Sequence, residues 1–363
     1  MNLQKYFRLN LKRPLLTAIA FIGMTSFVLA QDIHFSQFYL SPMNLNPALT
    51  GVMNYNSRVT INYRNQWSSI LKSNAFSTYS MGYERKSAVG RNDYFGFGGT
   101  LWGDRAGEAD FTIVQGKVAL SYAKHMGGGR KTPSYLVVGV EAGITQESID
   151  FTKLRWGNQH DGEGGFDSSL PSNEIFGVDN IIYPDFNAGI LWFSVLNESA
   201  NIYAGAAYSH LNEAEISFLE ESNNTSIEGR QLFPKYTLHV GGEMMINDKI
   251  GLTPGLVTFF QGPHFELNTG ASVKYLLVKD RDNYQAFSAG IWVRMANRLE
   301  EGTHMDAAIA ALRFDYNNIT LGFSYDVNTS ELKAASNSNG GFELALQYNV
   351  AGNEKRGVYC PHF

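Results

Sequence analysis

Cysteine is almost absent. Cys360 stands alone among 363 residues, so no intramolecular disulfide can staple the fold. Charge is thin as well: charged residues make up 17%, against about 25% in ordinary soluble domains. There is no basic surplus, since 29 Lys and Arg face 34 Asp and Glu. A chain so balanced has little with which to replace phosphate counterions, so no nucleic-acid partner is expected. Beyond the first thirty residues, no apolar run reaches the ~20 residues that a membrane-spanning helix needs. Nor does any Pro- or Ser-rich linker divide the chain, which points to one domain.

The abundant residues are glycine (36), phenylalanine (24) and tyrosine (19). In a membrane barrel, aromatics form girdles at the two interfaces and glycine permits close packing and curvature. The mean hydropathy of -0.20 fits, because a barrel carries its apolar signal in every second residue.

Residues 1–30 have the layout of an export signal. Lys5, Arg8, Lys12 and Arg13 precede an apolar stretch from Leu15 to Leu29, and Ala30 is the small residue at which a signal peptidase would cut. The mature chain is expected to begin at Gln31. Losing those four cations and no acids takes the net charge from -5 to -9.

From Arg58 to Val350 the sequence alternates apolar and polar residues in segments of roughly ten. In Arg58–Arg64, Val59, Ile61 and Tyr63 face one way, while Arg58, Thr60, Asn62 and Arg64 face the other. The segments 202–208, 236–244, 265–275 and 319–327 read alike. In the last one, Phe342, Leu344, Leu346, Tyr348 and Val350 alternate with Glu343, Ala345, Gln347 and Asn349. The count is about fourteen, an even number as bacterial barrels require. Long connections (148–183, 210–233, 296–304, 328–340) fall at odd positions. Short ones (195–199, 247–249, 317–318) fall at even positions, as expected of long outer loops and short periplasmic turns. The fold class expected is all-β: a transmembrane antiparallel outer-membrane β-barrel of about 14 strands over residues 57–350. It carries an N-terminal irregular strap or plug at 31–56, periplasmic or luminal, and a C-terminal periplasmic tail at 351–363. Both ends are expected on the periplasmic side.

In the strap, Ser41-Pro42 and Asn46-Pro47 are expected to break any helix and to favour extended or turn geometry. Phe35, Phe38 and Tyr39 need burial, either as a plug inside the lumen or against a periplasmic partner. Asn44 and Asn46 are suited to hold the barrel wall through amide hydrogen bonds.

The blocks His34-Phe35-Ser36-Gln37-Phe38-Tyr39, Ser41-Pro42-Met43-Asn44-Leu45-Asn46-Pro47 and Tyr63-Arg64-Asn65-Gln66-Trp67, with the ending Cys360-Pro361-His362-Phe363, resemble the PorP/SprF family of the Bacteroidetes type IX secretion system. His362 stands where a basic residue is expected more often. The resemblance runs the whole length of the chain. It implies a non-enzymatic component of the bacterial cell outer membrane, in contact with its lipid. That component would dock type IX periplasmic ring lipoproteins and help export or surface-attach adhesins, including those of gliding motility. Candidate contacts are His34, Phe35, Phe38, Tyr39, Pro42, Asn44, Asn46, Pro47, Arg64 and Trp67. Cys360, Pro361 and Phe363 would form a tail folding back at the periplasmic rim. The alternative is a transport channel for small or hydrophobic solutes.

No catalytic constellation stands out. Ser209 and His210 are adjacent, and neighbours in a strand point to opposite faces. The loop His160–Asp167 gathers carboxylates among glycines but lacks the spacing of an EF-hand. The turn Gly127-Gly128-Gly129 has no P-loop pattern. No cofactor, metal or enzymatic activity is expected.

Overall fold

The computed structural model describes residues 32–352 apart from 130, 161–164, 168, 173–177, 219–230, 279–282, 298–301 and 332. Met1–Asp32 form a unit separate from Ile33–Phe363, and the second unit is the subject below. The expected signal and the tail residues Cys360, Pro361 and Phe363 lie outside the described residues.

Fourteen antiparallel strands close into a barrel. The first seven are β1 (Ser57–Gln66), β2 (Phe76–Val89), β3 (Asp93–Ala106), β4 (Phe111–Gly127), β5 (Ser134–Ser148), β6 (Asn180–Asn197) and β7 (Ala200–Ser209). The other seven are β8 (Lys235–Met245), β9 (Ile250–Gln261), β10 (His264–Val278), β11 (Gln285–Asn297), β12 (Thr303–Tyr316), β13 (Ile319–Asn328) and β14 (Asn339–Val350). Closure pairs β1 with β14 from Ser57 opposite Val350 to Gln66 opposite Gly341. A closed sheet has no free edge, which satisfies every strand without water.

Strand parity sets the two faces. On β14, Leu344, Leu346, Tyr348 and Val350 are exposed, while Glu343, Ala345, Gln347 and Asn349 are buried. β1 sorts likewise, with Ile61 and Tyr63 outside and Arg58, Thr60, Asn62 and Arg64 inside. The outer wall is apolar to an extent no water-facing sheet tolerates: Ile291 is 73% and Val118 67% exposed. Outward rings gather near both ends. Tyr83, Phe95, Trp192, Tyr275 and Tyr348 lie toward the end where β1 starts, and Tyr63, Phe76, Tyr236, Phe260 and Tyr325 lie toward the other.

Connections sort much as expected. At the end where β1 starts they are short, two residues between β6 and β7 and two between β12 and β13. The opposite end carries the long stretches between β5 and β6 and between β7 and β8. Two connections depart from this sorting, since β3 and β4 are joined there by only residues 107–110, and β9 and β10 by only Gly262 and Pro263. Gly262 has φ +53 and permits that tight turn. By the rule that bacterial barrels keep short turns in the periplasm, the long-loop end is the outer mouth.

Candidate functional site

Residues 33–56 run through the lumen, and their contacts change character along the way. Two features of the sequence reading are corrected. The prolines do not exclude helix: they start one-turn helices at Pro42–Leu45 and Pro47–Leu49, after a 3-10 turn at Phe38–Leu40. A proline at the first helical position loses no hydrogen bond and has its φ preset. The residue before Pro47 stays extended, with Asn46 at φ -159 and ψ 125. The second concerns the course of the strap, whose residues 33–36 lie at the long-loop end of the barrel and not at the end where β1 starts.

At the outer end the strap meets buried charge. The two oxygens of Glu343 accept the backbone N–H groups of Ser36 (2.7 Å) and Gln37 (3.0 Å). Ser36 Oγ donates to Asp326 at 2.9 Å and accepts from Arg294 at 2.6 Å. Arg294 also bonds Asp326 at 2.9 Å, and Arg64 reaches Asp326 at 3.2 Å while donating to the carbonyl of His34. His34 Nε2 lies 3.5 Å from Glu266, and Lys235 Nζ is 3.5 Å from the carbonyl of Ile33. Arg64, Arg294, Asp326 and Glu343 are all 4% exposed or less, so each charge depends on its partners.

In the middle, rings take over. Phe38 meets Trp292 edge to face at 5.5 Å, and Tyr39 stacks on the same indole at 5.6 Å. Phe35 and Phe38 are both 4% exposed. Asn44 Nδ2 donates to Ser80 at 2.7 Å and to Ser41 at 2.9 Å.

Toward the periplasmic rim the strap is held by backbone and shape. Asn46 Nδ2 donates to the carbonyls of Ile190 (3.1 Å) and Ala206 (3.2 Å), with His239 Nε2 at 3.0 Å. Its Oδ1 accepts from Ala48 N at 2.8 Å, capping the turn begun by Pro47. The wall is recessed to receive this stretch. A Cβ at Gly189 would overlap the Asn46 side chain, one at Gly139 would overlap Pro47 and Ala48, and one at Gly96 would overlap the carbonyl of Thr50. The strap then passes to Glu84, which accepts from Gly51 N at 2.6 Å and binds Arg58 at 2.6 Å. Finally Asn56 N donates to Val350 O at 3.0 Å, merging the strap into the sheet.

The structure thus gathers His34, Phe35, Phe38, Tyr39, Pro42, Asn44, Asn46, Pro47 and Arg64 in or against the lumen. Trp67 is apart, just beyond β1 at the outer rim, with φ +64 and its N–H on Gly340 O. The sequence reading missed the receiving wall: Arg294, Asp326, Trp292, His239, Glu84 and the inward glycines. Strand parity marks all of them as inward, but nothing in the alternation says what lies opposite.

Outside the lumen, the connections after β1, β3 and β5 border a cleft of about 510 Å³. Asp110 holds the connections together, bound by Lys153 and Arg105. Lys153 and then Arg105 hold the Asp110 carboxyl below its ordinary range, and Asp110 in turn raises Lys153. His210 lies just past the end of β7 and not within the strand; it turns to φ +61 and sets Nδ1 2.8 Å from Asp185. Among the described residues, no group of three or more His, Cys, Asp or Glu is placed to hold a metal.

Comparison with known proteins adds the family. The chain resembles in fold the Ralstonia pickettii toluene transporter TbuX, with 12% identity over 85% of this chain and 93% of that one and a TM-score of 0.45. It also resembles the TodX monoaromatic hydrocarbon channel, at 10% identity over 85% and 93% with a TM-score of 0.47. CdiB from Escherichia coli is similar at 8% identity over 82% and 64%, TM-score 0.44. No curated protein matches the sequence. The profile of the type IX secretion system membrane protein PorP/SprF matches residues 28–348. The barrel with its buried strap is therefore a type IX secretion membrane component of the bacterial outer membrane, and the chain belongs to the PorP/SprF family.

Proposed function

We propose that this barrel is a non-enzymatic docking platform of type IX secretion. It would hold periplasmic ring lipoproteins at its short-turn end and help export or surface-attach adhesins, gliding adhesins among them, at its long-loop end. One observation carries this reading: the lumen is occupied by the chain's own residues 33–53, fixed by buried ion pairs, stacked rings and recessed glycines. A barrel whose pore is filled in this manner acts through its surfaces. The family match supports the same direction.

The test compares the secreted and surface-exposed proteins of cells with and without this chain, by mass spectrometry. Loss of one large adhesin with other cargo intact would mark a dedicated presentation partner, and a general loss of exported proteins a core component. An unchanged surface would sink the secretion reading. In planar bilayers the intact barrel is expected to pass no steady current, and deletion of residues 34–51 to open it. Steady conduction by the intact barrel would favour solute transport instead.

A further inference from the structure

The strap has a direction, and the direction is unexpected. A chain that enters β1 from the periplasmic rim has no need to visit the other end of the barrel first. Here it does. Every polar contact given above for residues 33–36 is made to residues near the outer ends of their strands. Arg64 is two residues from the end of β1, and Asp326 two from the end of β13. Lys235 opens β8, Glu266 is the third residue of β10, and Glu343 is the fifth of β14. Residues 50–56 contact the opposite level: Glu84 is paired with Arg58, the second residue of β1, and Lys86 donates to Met53 O at 2.5 Å. Six steps along β1 lead from Arg58 to Arg64, about 20 Å along a tilted strand. The strap descends between these two levels inside the lumen, then turns at the rim and climbs again as β1.

We propose that the strap is threaded from the cell surface down to the periplasmic rim, with its first described residues, 33–36, presented at the outer mouth of the barrel. The cluster of Arg64, Arg294, Asp326 and Glu343 is the fastening that keeps them there. It is suited to that task because the first residues of a domain are poorly ordered unless tied down. Removing Ser36 and Gln37 from Glu343 would leave a buried carboxylate short of two donors. The other end needs no such fastening, being continuous with the sheet. It follows that residues 33–36 are not offered to a periplasmic protein, and that whatever meets them meets them from outside. The inference does not depend on the secretion role.

The test is an epitope tag on a Gly-Ser linker of about ten residues inserted between Gln31 and Asp32 of the full chain. The same tag placed after Ser73 serves as the outer control and after Asp248 as the periplasmic control. Each is probed with an added protease in intact and in permeabilised cells, with barrel folding checked by heat-modifiable gel migration. The N-terminal tag is expected to be digested in intact cells to the same extent as the tag after Ser73. Digestion only after permeabilisation, as for the tag after Asp248, would overturn the proposal, and so would protection in both settings. Should the tagged barrel fail to fold, a single cysteine decides, in a Cys360→Ala background. Asp32→Cys should react with a membrane-impermeant maleimide in intact cells, as Ser73→Cys does. Reaction only after permeabilisation, as for Asp248→Cys, would overturn the proposal.

Discussion

The two halves of the strap are held by different physics. The outer half hangs on buried charge: two arginines, two carboxylates and the backbone of Ser36 and Gln37. The periplasmic half has its turns seated against wall positions where glycine removes the side chain, and Asn46 bonds to wall carbonyls. A charge network is worth little net stability but is costly to break at one partner, because the remaining charge is stranded. A shape fit loses stability in smaller steps and is most sensitive to added volume. The outer half should therefore fail abruptly and the inner half gradually.

The largest effect is expected from Arg294→Ala. It takes from Asp326 the nearer of its two guanidinium partners, leaving Arg64 at 3.2 Å, takes Arg294 from Glu266, and removes the donor to Ser36, a loss of about 3–5 kcal/mol when one partner of a buried pair is deleted. The heat-modifiable transition should fall in temperature, and the strap near Ser36 should become open to hydrogen exchange while Asn46 stays protected. If both halves open together, the division into two regimes is wrong.

Gly189→Ala comes next. The new methyl meets Asn46, and overpacking of this kind costs about 1–3 kcal/mol. Asn46→Ala alone loses the cap on Ala48 and both wall bonds, about 1–2 kcal/mol. The double variant sharpens the comparison: with the amide gone the methyl has room, so the two losses should be less than additive. Strict additivity in thermal shifts would show that Gly189 is not there to admit Asn46.

The smallest effect belongs to the outer connections. The Asp110 carboxyl is held below its usual range by Lys153 and Arg105. A depressed folded value means that this contribution is present above the unfolded carboxylate range and is lost as pH falls through the folded value. Acid should loosen the connections after β3 and β5 with no change in the strap, read by hydrogen exchange, and Asp110→Asn should abolish that pH dependence. The partners are exposed, so solvent screening keeps the effect small.

Most of the barrel is legible in the sequence, and for a simple reason. Alternation with a period of two separates the lipid face from the lumen face residue by residue, as Leu344 and Glu343 show. The family resemblance is equally legible in 34–47 and 63–67. The partners of those residues are not. Glu343 and Asp326 look like any inward polar positions until the fold sets them against Ser36, some 300 positions away in sequence. Gly189 and Gly139 look like breaks in the strand pattern, since nothing local records that another backbone needs the space.

Alone, then, the sequence determined the class of the protein, the number and polarity of its strands, and the stretch ahead of β1 that had to be buried. Those properties follow from local rules of side-chain direction and proline geometry, which act over a few residues. Only the tertiary structure decided that this stretch lies inside the barrel, that it runs from the outer mouth to the rim, and that charge fastens one end while shape holds the other. These depend on contacts between positions far apart in the chain, which exist only once fourteen strands have closed around it.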